Sequence, residues 1–398
     1  MKKLLFIAIA LVLSLAIFHS CNEPLVDESL NDEISLKSAN GAKSYIVVLN
    51  DAELNAELDN QKGYEAKQKT AKSTAEKILK RAGITESEIG FVYGTAIKGF
   101  SVKIAPGQLK KLQDDPSVKY VEEDQIVTLV LPDVKVKAKP APTPVAETKP
   151  WGITRVNGGV TYSGNNKIWI IDTGIDLDHP DLNVNKVSGW NFVANTLAAD
   201  DDNGHGSHCA GIAAAVDNNI GVIGVAAGAP VVPVKVLNRR GSGAYSAIIA
   251  GVDWVASKGV AGDVANMSLG GSYYQPINDA VIAAALTGIK FTLAGGNEST
   301  SATLKSPASA NGANIYTISA MATGDLWASY SNFGNPPVDY CEPGSSIYST
   351  YKGGGYATLS GTSMAAPHAA GLLLLGGISS GGFVSGDPDG NPDKIGVR

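Results

Sequence analysis

Two hydrophobic textures divide this chain. In the first, short apolar runs alternate with charged stretches. Tyr45–Leu49 reads as a strand, and Leu54–Arg81 has helical composition and stops at Gly83. Phe91–Ile104 is rich in β-formers, with Gly94 and Gly99 as turn or bulge points. Gln108–Leu112 suits a short helix, and Val118–Leu129 is strand-like again. The order β-α-β-β-α-β predicts a small α+β, ferredoxin-like (split βαβ) domain over 44–130. From Trp151 the runs become continuous and bounded by glycine. Ile168–Ile171, Val231–Leu237, Val264–Leu269, Lys290–Ala294 and Ile315–Ala320 read as strands. His205–Ala215, Ala247–Ser257 and Ile277–Leu286 lie between them and read as helices, as does Ala369–Leu375. Strands apolar throughout imply a mainly parallel sheet covered on both faces, an α/β fold of three α/β/α layers over 150–398. Sites in such sheets form beyond the carboxyl ends of the strands.

Composition adds boundaries. Residues 131–149, with Pro132, Pro140, Pro142 and Pro144 among several lysines, read as a semi-extended linker open to proteolysis. At the start, Lys2 and Lys3 precede an apolar run, Leu4–Phe18, which is short for a membrane span and carries the flanks of an export signal. Residues 1–20 are therefore read as a signal peptide and 21–43 as a polar tether. Phe18-His19-Ser20-Cys21 resembles a bacterial lipoprotein cleavage site, with Cys21 the lipidated residue; a soluble secreted protein is the alternative. Both place the chain outside the cytoplasm, in a compartment that tolerates disulfides. Cys209 and Cys341 are left free or bridged. A net charge of −6 without a basic block argues against nucleic acid as a partner.

Candidate chemistry gathers at the ends of the apolar runs. Asp172 closes the first strand in Ile171-Asp172-Thr173-Gly174, where a buried carboxylate needs hydrogen bonds. His205 stands between two glycines at a helix start in Asn203-Gly204-His205-Gly206-Ser207-His208. Asn297 follows two glycines in Ala294-Gly295-Gly296-Asn297 and either makes a turn or aims its amide at an oxyanion. Ser363 opens a helix in Gly361-Thr362-Ser363-Met364-Ala365-Ala366-Pro367-His368, where unpaired N–H groups favour an oxyanion. Each alone is a cap, a turn or a structural histidine. Together, Asp, His and Ser come in one of the chain orders known to build a single triad.

The segments around Asp172, His205 and Ser363 closely resemble the three signature motifs of the subtilisin-like serine proteases, over roughly Pro150–Gly377. The N-terminal region resembles that family's inhibitory propeptide. The resemblance implies a subtilisin-like fold and a serine endopeptidase made as a zymogen, with cleavage in the linker before Trp151 releasing its own propeptide. Ser363 would be the nucleophile, His205 the proton carrier, Asp172 its orienter, and Asn297 with the Ser363 N–H the oxyanion hole. Peptide substrate would pair between Gly241-Ser242-Gly243 and Ser268-Leu269-Gly270. The P1 pocket would lie between Ser268–Gly270 and Ala294-Gly295-Gly296, without a buried charge, which suggests broad specificity with apolar or aromatic P1. A weakly perturbed histidine would suit neutral or mildly alkaline pH. Calcium is the implied structural cofactor, bound by Asp181, the Asn218 side chain and the carbonyls of Val216, Ile220 and Val222, with Glu147 where the family often has a glutamine. Cys209 falls one turn from His205, as a packed small hydrophobe. Asp387–Asp393 reads as an exposed acidic turn, and the tail after Leu375 is short for the helices that usually close this fold. A monomer is expected, with membrane attachment only through Cys21. Two competing classes are a silent peptide-binding protein, disfavoured by all four polar residues being intact, and an acid peptidase with glutamate for histidine, disfavoured by His205.

Overall fold

The computed structural model describes residues 41–50, 57–58, 60–136 and 146–398. The signal segment, Cys21 and most of the tether lie outside the described residues. Among those described, no helix is long and apolar enough to cross a membrane.

The small domain is a four-stranded antiparallel sheet in the order Glu88–Tyr93, Gly99–Ile104, Lys43–Leu49, Val118–Glu123. Helices Tyr64–Arg81 and Leu109–Gln113 accompany it. The long helix starts at Tyr64, because Gly63 turns the chain with φ 87° just before it. The strand Lys43–Leu49 does not alternate, and packing gives the reason. Tyr45, Val47 and Leu49 join Ala75, Ile78 and Leu79 of the long helix in one core. Ile46 and Val48 face the other way, into a core shared with Tyr245, Ile248 and Val252 of the large domain. Each such buried side chain contributes about 1.5–3 kcal/mol. Polar contacts fix the docking: the Thr95 and Ala96 N–H groups each donate to Asp253 at 2.7 Å, and the Ser246 N–H donates to Asp124 at 3.1 Å.

The large domain has a ten-stranded sheet whose central run is parallel: Val338–Pro343, Ile315–Ala322, Lys290–Ala294, Val264–Met267, Ile168–Asp172, Val231–Lys235, Trp190–Asn191. Side-chain alternation along Ile168–Asp172 separates the layers. Ile168 and Ile170 pack with helices His205–Ala214 and Thr362–Leu374, whereas Trp169 and Ile171 pack with Tyr245–Lys258 and Gln275–Ala285. The predicted strands and helices are all present.

Three departures stand out. The tail does not end in helices. Ser379–Phe383 pairs antiparallel with Lys394–Val397, which lies parallel to Val338–Pro343 and closes the sheet edge. The Arg398 N–H then donates to the Val156 carbonyl at 3.0 Å. Second, the acidic turn is not wholly exposed: Asp393 is buried, accepting from the Ser319 hydroxyl and from Asn335 Nδ2. Third, the linker begins as structure. Asp133–Val136 is a strand on Gly355–Ser360, which itself forms a hairpin with Ile347–Tyr351.

Candidate active site

The carboxyl ends of the parallel strands converge on one cleft. Asp172 is buried at the end of its strand and accepts the Thr173 N–H at 2.7 Å. His205 opens its helix after Gly204, whose φ of 112° starts the turn. Gly206 makes the approach possible, since a Cβ there would stand 2.0 Å from the Gly174 carbonyl oxygen and 3.2 Å from Asp172 Cβ. His205 Nδ1 consequently lies 2.8 and 2.9 Å from the two Asp172 oxygens. Burial of the ring opposes its charge, but the Asp172 carboxylate outweighs it and raises the His205 pKa well above the usual histidine value. The weak perturbation expected from sequence is thus corrected: the ring is held against the buried Asp172 carboxylate.

Asp201 holds this helix start, although sequence reasoning passed over it as one of three acids in a loop. Its Oδ1 accepts the Gly204 N–H at 2.8 Å and the Thr173 hydroxyl at 2.9 Å; its Oδ2 accepts the Ser207 N–H at 2.9 Å and hydroxyl at 2.6 Å. An acid a few residues before a helix is a capping signal, and that was the clue available.

Ser363 follows Gly361, which has φ 146°, and Thr362 at the head of the second helix. Its hydroxyl donates to the Ser268 carbonyl at 3.1 Å, and His205 Nε2 is buried without a hydrogen-bond partner. The Asp–His contact is therefore made, and the Ser–His contact is not. Asn297 Oδ1 accepts the Thr362 N–H at 2.8 Å and hydroxyl at 3.0 Å, which aims its amide nitrogen outward. That Nδ2 donates to the Val130 carbonyl at 3.0 Å. Cys209 is buried below, its thiol donating to the Ser363 carbonyl at 3.4 Å. Cys209 and Cys341 are both free.

The segments singled out for substrate are filled by the chain itself. Ile126–Thr128 pairs antiparallel with Ser242–Ala244, with Val127 opposite Gly243, and the Leu129 N–H donates to the Gly241 carbonyl at 3.0 Å. Ser268–Gly271 and Ala294–Asn297 line one pocket with Val130 and Ser363. Lys305 and Glu298 also line it, paired at 2.9 Å, so the wall carries an ion pair that sequence did not reveal.

The residues proposed for calcium also meet. Asp181 Oδ2 accepts the Val222 N–H at 3.0 Å and the Tyr356 hydroxyl at 3.2 Å, while its Oδ1 is buried without a partner. Burial pushes the Asp181 pKa up to about 7, and Glu147 nearby adds to it. The Glu147 carboxylate accepts the Asn218 N–H at 2.8 Å. Gly221, with φ 63°, packs against Tyr356, whose oxygen would lie 2.0 Å from a Cβ. An orphaned buried carboxylate oxygen beside a second carboxylate, an amide and loop carbonyls fits a hard cation.

Comparison with known proteins identifies the family. The subtilase family profile matches residues 163–375, and the peptidase inhibitor I9 profile matches residues 44–130. Alkaline serine exoprotease A of Vibrio alginolyticus is 38% identical over 76% of this chain, which spans 56% of that protein's length. Alkaline protease of Alkalihalobacillus alcalophilus is 36% identical over 88% of this chain and 85% of its own. The crystal structure of a cold-adapted subtilisin-like serine proteinase is 35% identical with a TM-score of 0.55, covering 62% of this chain and 96% of that one. The chain belongs to the subtilase family of serine proteases and carries an I9 inhibitor domain as its propeptide.

Proposed function

We propose that this protein is an exported serine endopeptidase, made as a zymogen, that hydrolyses peptide bonds through Asp172, His205 and Ser363. The observation that carries the reading is the seating of Ile126–Val130. It pairs as a strand along Ser242–Ala244 and lays the Val130 carbonyl on the Asn297 amide, as a substrate would. A turn about the Cα–Cβ bond of Ser363 exchanges the Ser268 carbonyl for His205 Nε2. The hydroxyl then attacks the carbonyl as Nε2 takes its proton. Asp172 holds Nδ1–H and stabilises the imidazolium. Asn297 Nδ2 and the Ser363 N–H receive the oxyanion. The imidazolium returns the proton to the leaving amine, and water, activated by the same ring, hydrolyses the acyl ester.

Pairing through main chain favours broad specificity. The pocket walls of Ser268–Gly270 and Ala294–Gly296 favour an apolar or aromatic P1, with Lys305 and Glu298 neutralising one another. Calcium would be held by Asp181, Asn218 and the carbonyls of Val216, Ile220 and Val222, with Glu147 alongside, and would brace the loop after the His205 helix. The 44–130 domain blocks the cleft until it is cut away between that domain and Trp151. Residues 1–20 direct export from a bacterial cytoplasm. Cys21 carries a lipid anchor, or the protein is released soluble; the enzyme acts as a monomer.

Covalent labelling of the matured protein with a peptidyl organophosphonate at neutral pH tests this reading. Labelling of Ser363 that disappears in His205→Ala is the expected result. A matured protein that binds peptides but takes no label is the silent peptide-binding alternative, and ends the proposal.

A further inference from the structure

Away from the cleft, a second cavity of about 270 Å³ lies where the small domain meets the large one. Phe91 and Val102 wall it on one side, and Phe192, Val236 and Ala247 on the other. Phe91 and Phe192 meet edge to face, with ring centroids 6.0 Å apart. The rim includes Val193 and Glu88, both exposed, so a solute reaches the cavity without unfolding. Three charged groups line it, and they are not alike. Glu88 and Lys103 lie 3.7 Å apart and neutralise one another at the rim. Asp124 is buried, at 3% exposure, and no cation pairs with it among the described residues. Its Oδ1 accepts the Ser246 N–H at 3.1 Å and its Oδ2 the Ser44 hydroxyl at 3.2 Å. A carboxylate has about four lone-pair positions, so acceptor capacity remains. Burial pushes its carboxyl above the usual carboxylate value, because these donors replace the lost water only in part.

We propose that this cavity binds a small organic cation, a primary amine on an apolar ring, with the ammonium donating to Asp124 and the ring held between Phe91, Phe192 and Val236. Apolar walls around one desolvated charge without a counter-ion are the make-up of a small-molecule site. Size agrees: a dry cavity of about 150 Å³ holds a benzene ring, so this one has room for a ring and a short arm. Charge decides the class. A neutral ligand of the same shape leaves Asp124 without a counter-ion, and an anion is repelled by it.

The site exists only at the seam. Ser44, Phe91 and Asp124 come from the small domain, and Phe192, Val236 and Ser246 from the large one. The amine therefore binds the docked arrangement and not the separated one. By linkage, ligand at a hundredfold excess over Kd favours docking about a hundredfold. An amine of this kind is an effector that holds the small domain in place. That consequence rests on the reading of the 44–130 domain as the block on the cleft; the binding itself does not.

The test uses the full chain carrying Ser363→Ala, so that nothing is digested during the measurement. Phenethylamine, titrated and followed by amide NMR, should bind saturably with a Kd of about 1 mM, the scale of a small ligand. 2-Phenylethanol keeps the shape and loses the charge, and should bind about tenfold more weakly. Asp124→Asn should remove the amine's advantage and leave the alcohol unchanged. Ala247→Leu fills the cavity from its helix, and Val193→Trp closes the rim from an exposed position. Each should abolish binding of both probes, and the second stands in if the first fails to fold. Saturating amine should also raise the melting temperature, and should not do so in the blocked variants. Equal affinities for amine and alcohol overturn recognition by Asp124. Binding that persists in the blocked variants lies elsewhere, the P1 pocket included, and overturns the site, as does no saturation by about 10 mM. Binding without a rise in melting temperature overturns the effector role. None of these titrations reads hydrolysis, so failure of the catalytic reading shows separately, in the organophosphonate labelling.

Discussion

Replacing Asn297 by alanine removes two things that the structure keeps distinct. The Nδ2 donor reaches the Val130 carbonyl at 3.0 Å, and Oδ1 accepts both the N–H and the hydroxyl of Thr362. Loss of one oxyanion donor costs about 10²–10³ in kcat, or roughly 2.7–4 kcal/mol, because the charge it stabilises appears only as the transition state forms. Loss of Oδ1 leaves the buried Thr362 N–H unpaired, which costs stability of about 1–3 kcal/mol. Asn297→Asp separates the two effects. It keeps the acceptor for Thr362, removes the donor and adds an opposing charge. Both variants should therefore lose the rate, and only alanine should lose several degrees of melting temperature. Self-cleavage of the full chain provides the assay, since it is intramolecular and reads the chemical step without a binding term. A p-nitroanilide then supplies kcat and KM separately, with KM little changed. If Asn297→Ala folds and stays within tenfold of the parent in both assays, Asn297 is not the oxyanion donor.

Three further outcomes follow from the same geometry. The His205 pKa is raised, and the ring must be neutral to accept a proton, so activity rises with pH through a midpoint above 6.5. Asp172→Asn should move that midpoint down and lower kcat by about 10⁴, and a wild-type acid limb centred at or below 6.5 refutes the argument. Chelation of calcium should lower the melting temperature, the stabilisation being about 2.7 kcal/mol at a hundredfold excess over Kd. Asp181→Asn should abolish that sensitivity, and an unchanged melt after verified metal removal sinks the site. Glu342 is fully buried with neither oxygen partnered; burial pushes its pKa well above the carboxylate range, and Arg155 offsets this only in part. The folded state then binds the proton more tightly than the unfolded state, so this stability is complete below the unfolded pKa and is lost as pH rises towards the folded one. Glu342→Gln should flatten the fall in melting temperature between pH 5 and 8, and parallel curves for the two proteins would contradict it.

The parallel core was legible because its strands are buried on both faces and therefore read as unbroken apolar runs. Asp172, His205, Asn297 and Ser363 stood out because each follows such a run or opens a helix beside glycine. The hairpin Ile347–Tyr351 and Gly355–Ser360 was not legible: its tyrosines, serines and threonines find buried partners that no local pattern announces. Ser349, for example, donates to the His208 carbonyl and Thr350 to the Ser207 carbonyl. The tail strands were missed for a related reason, since Ser379–Phe383 is exposed throughout and exists by pairing with Lys394–Val397. Nothing in Leu129-Val130-Leu131 marks a chain lying in a catalytic cleft. That placement comes from the docking of the whole small domain, which sequence periodicity does not encode.

The strand Lys43–Leu49 has a consequence for the fate of that domain. Held in place, it offers Ile46 and Val48 to the large domain's core and Tyr45, Val47 and Leu49 to its own helix. Once detached, it must wet the part of that apolar face which Tyr245, Ile248 and Val252 of the large domain had covered. The freed fragment should therefore be a short-lived species, expanded enough to be digested by the enzyme it had silenced, which makes activation a ratchet. Circular dichroism of the isolated 44–130 fragment checks this: a stable, protease-resistant fold would leave activation reversible.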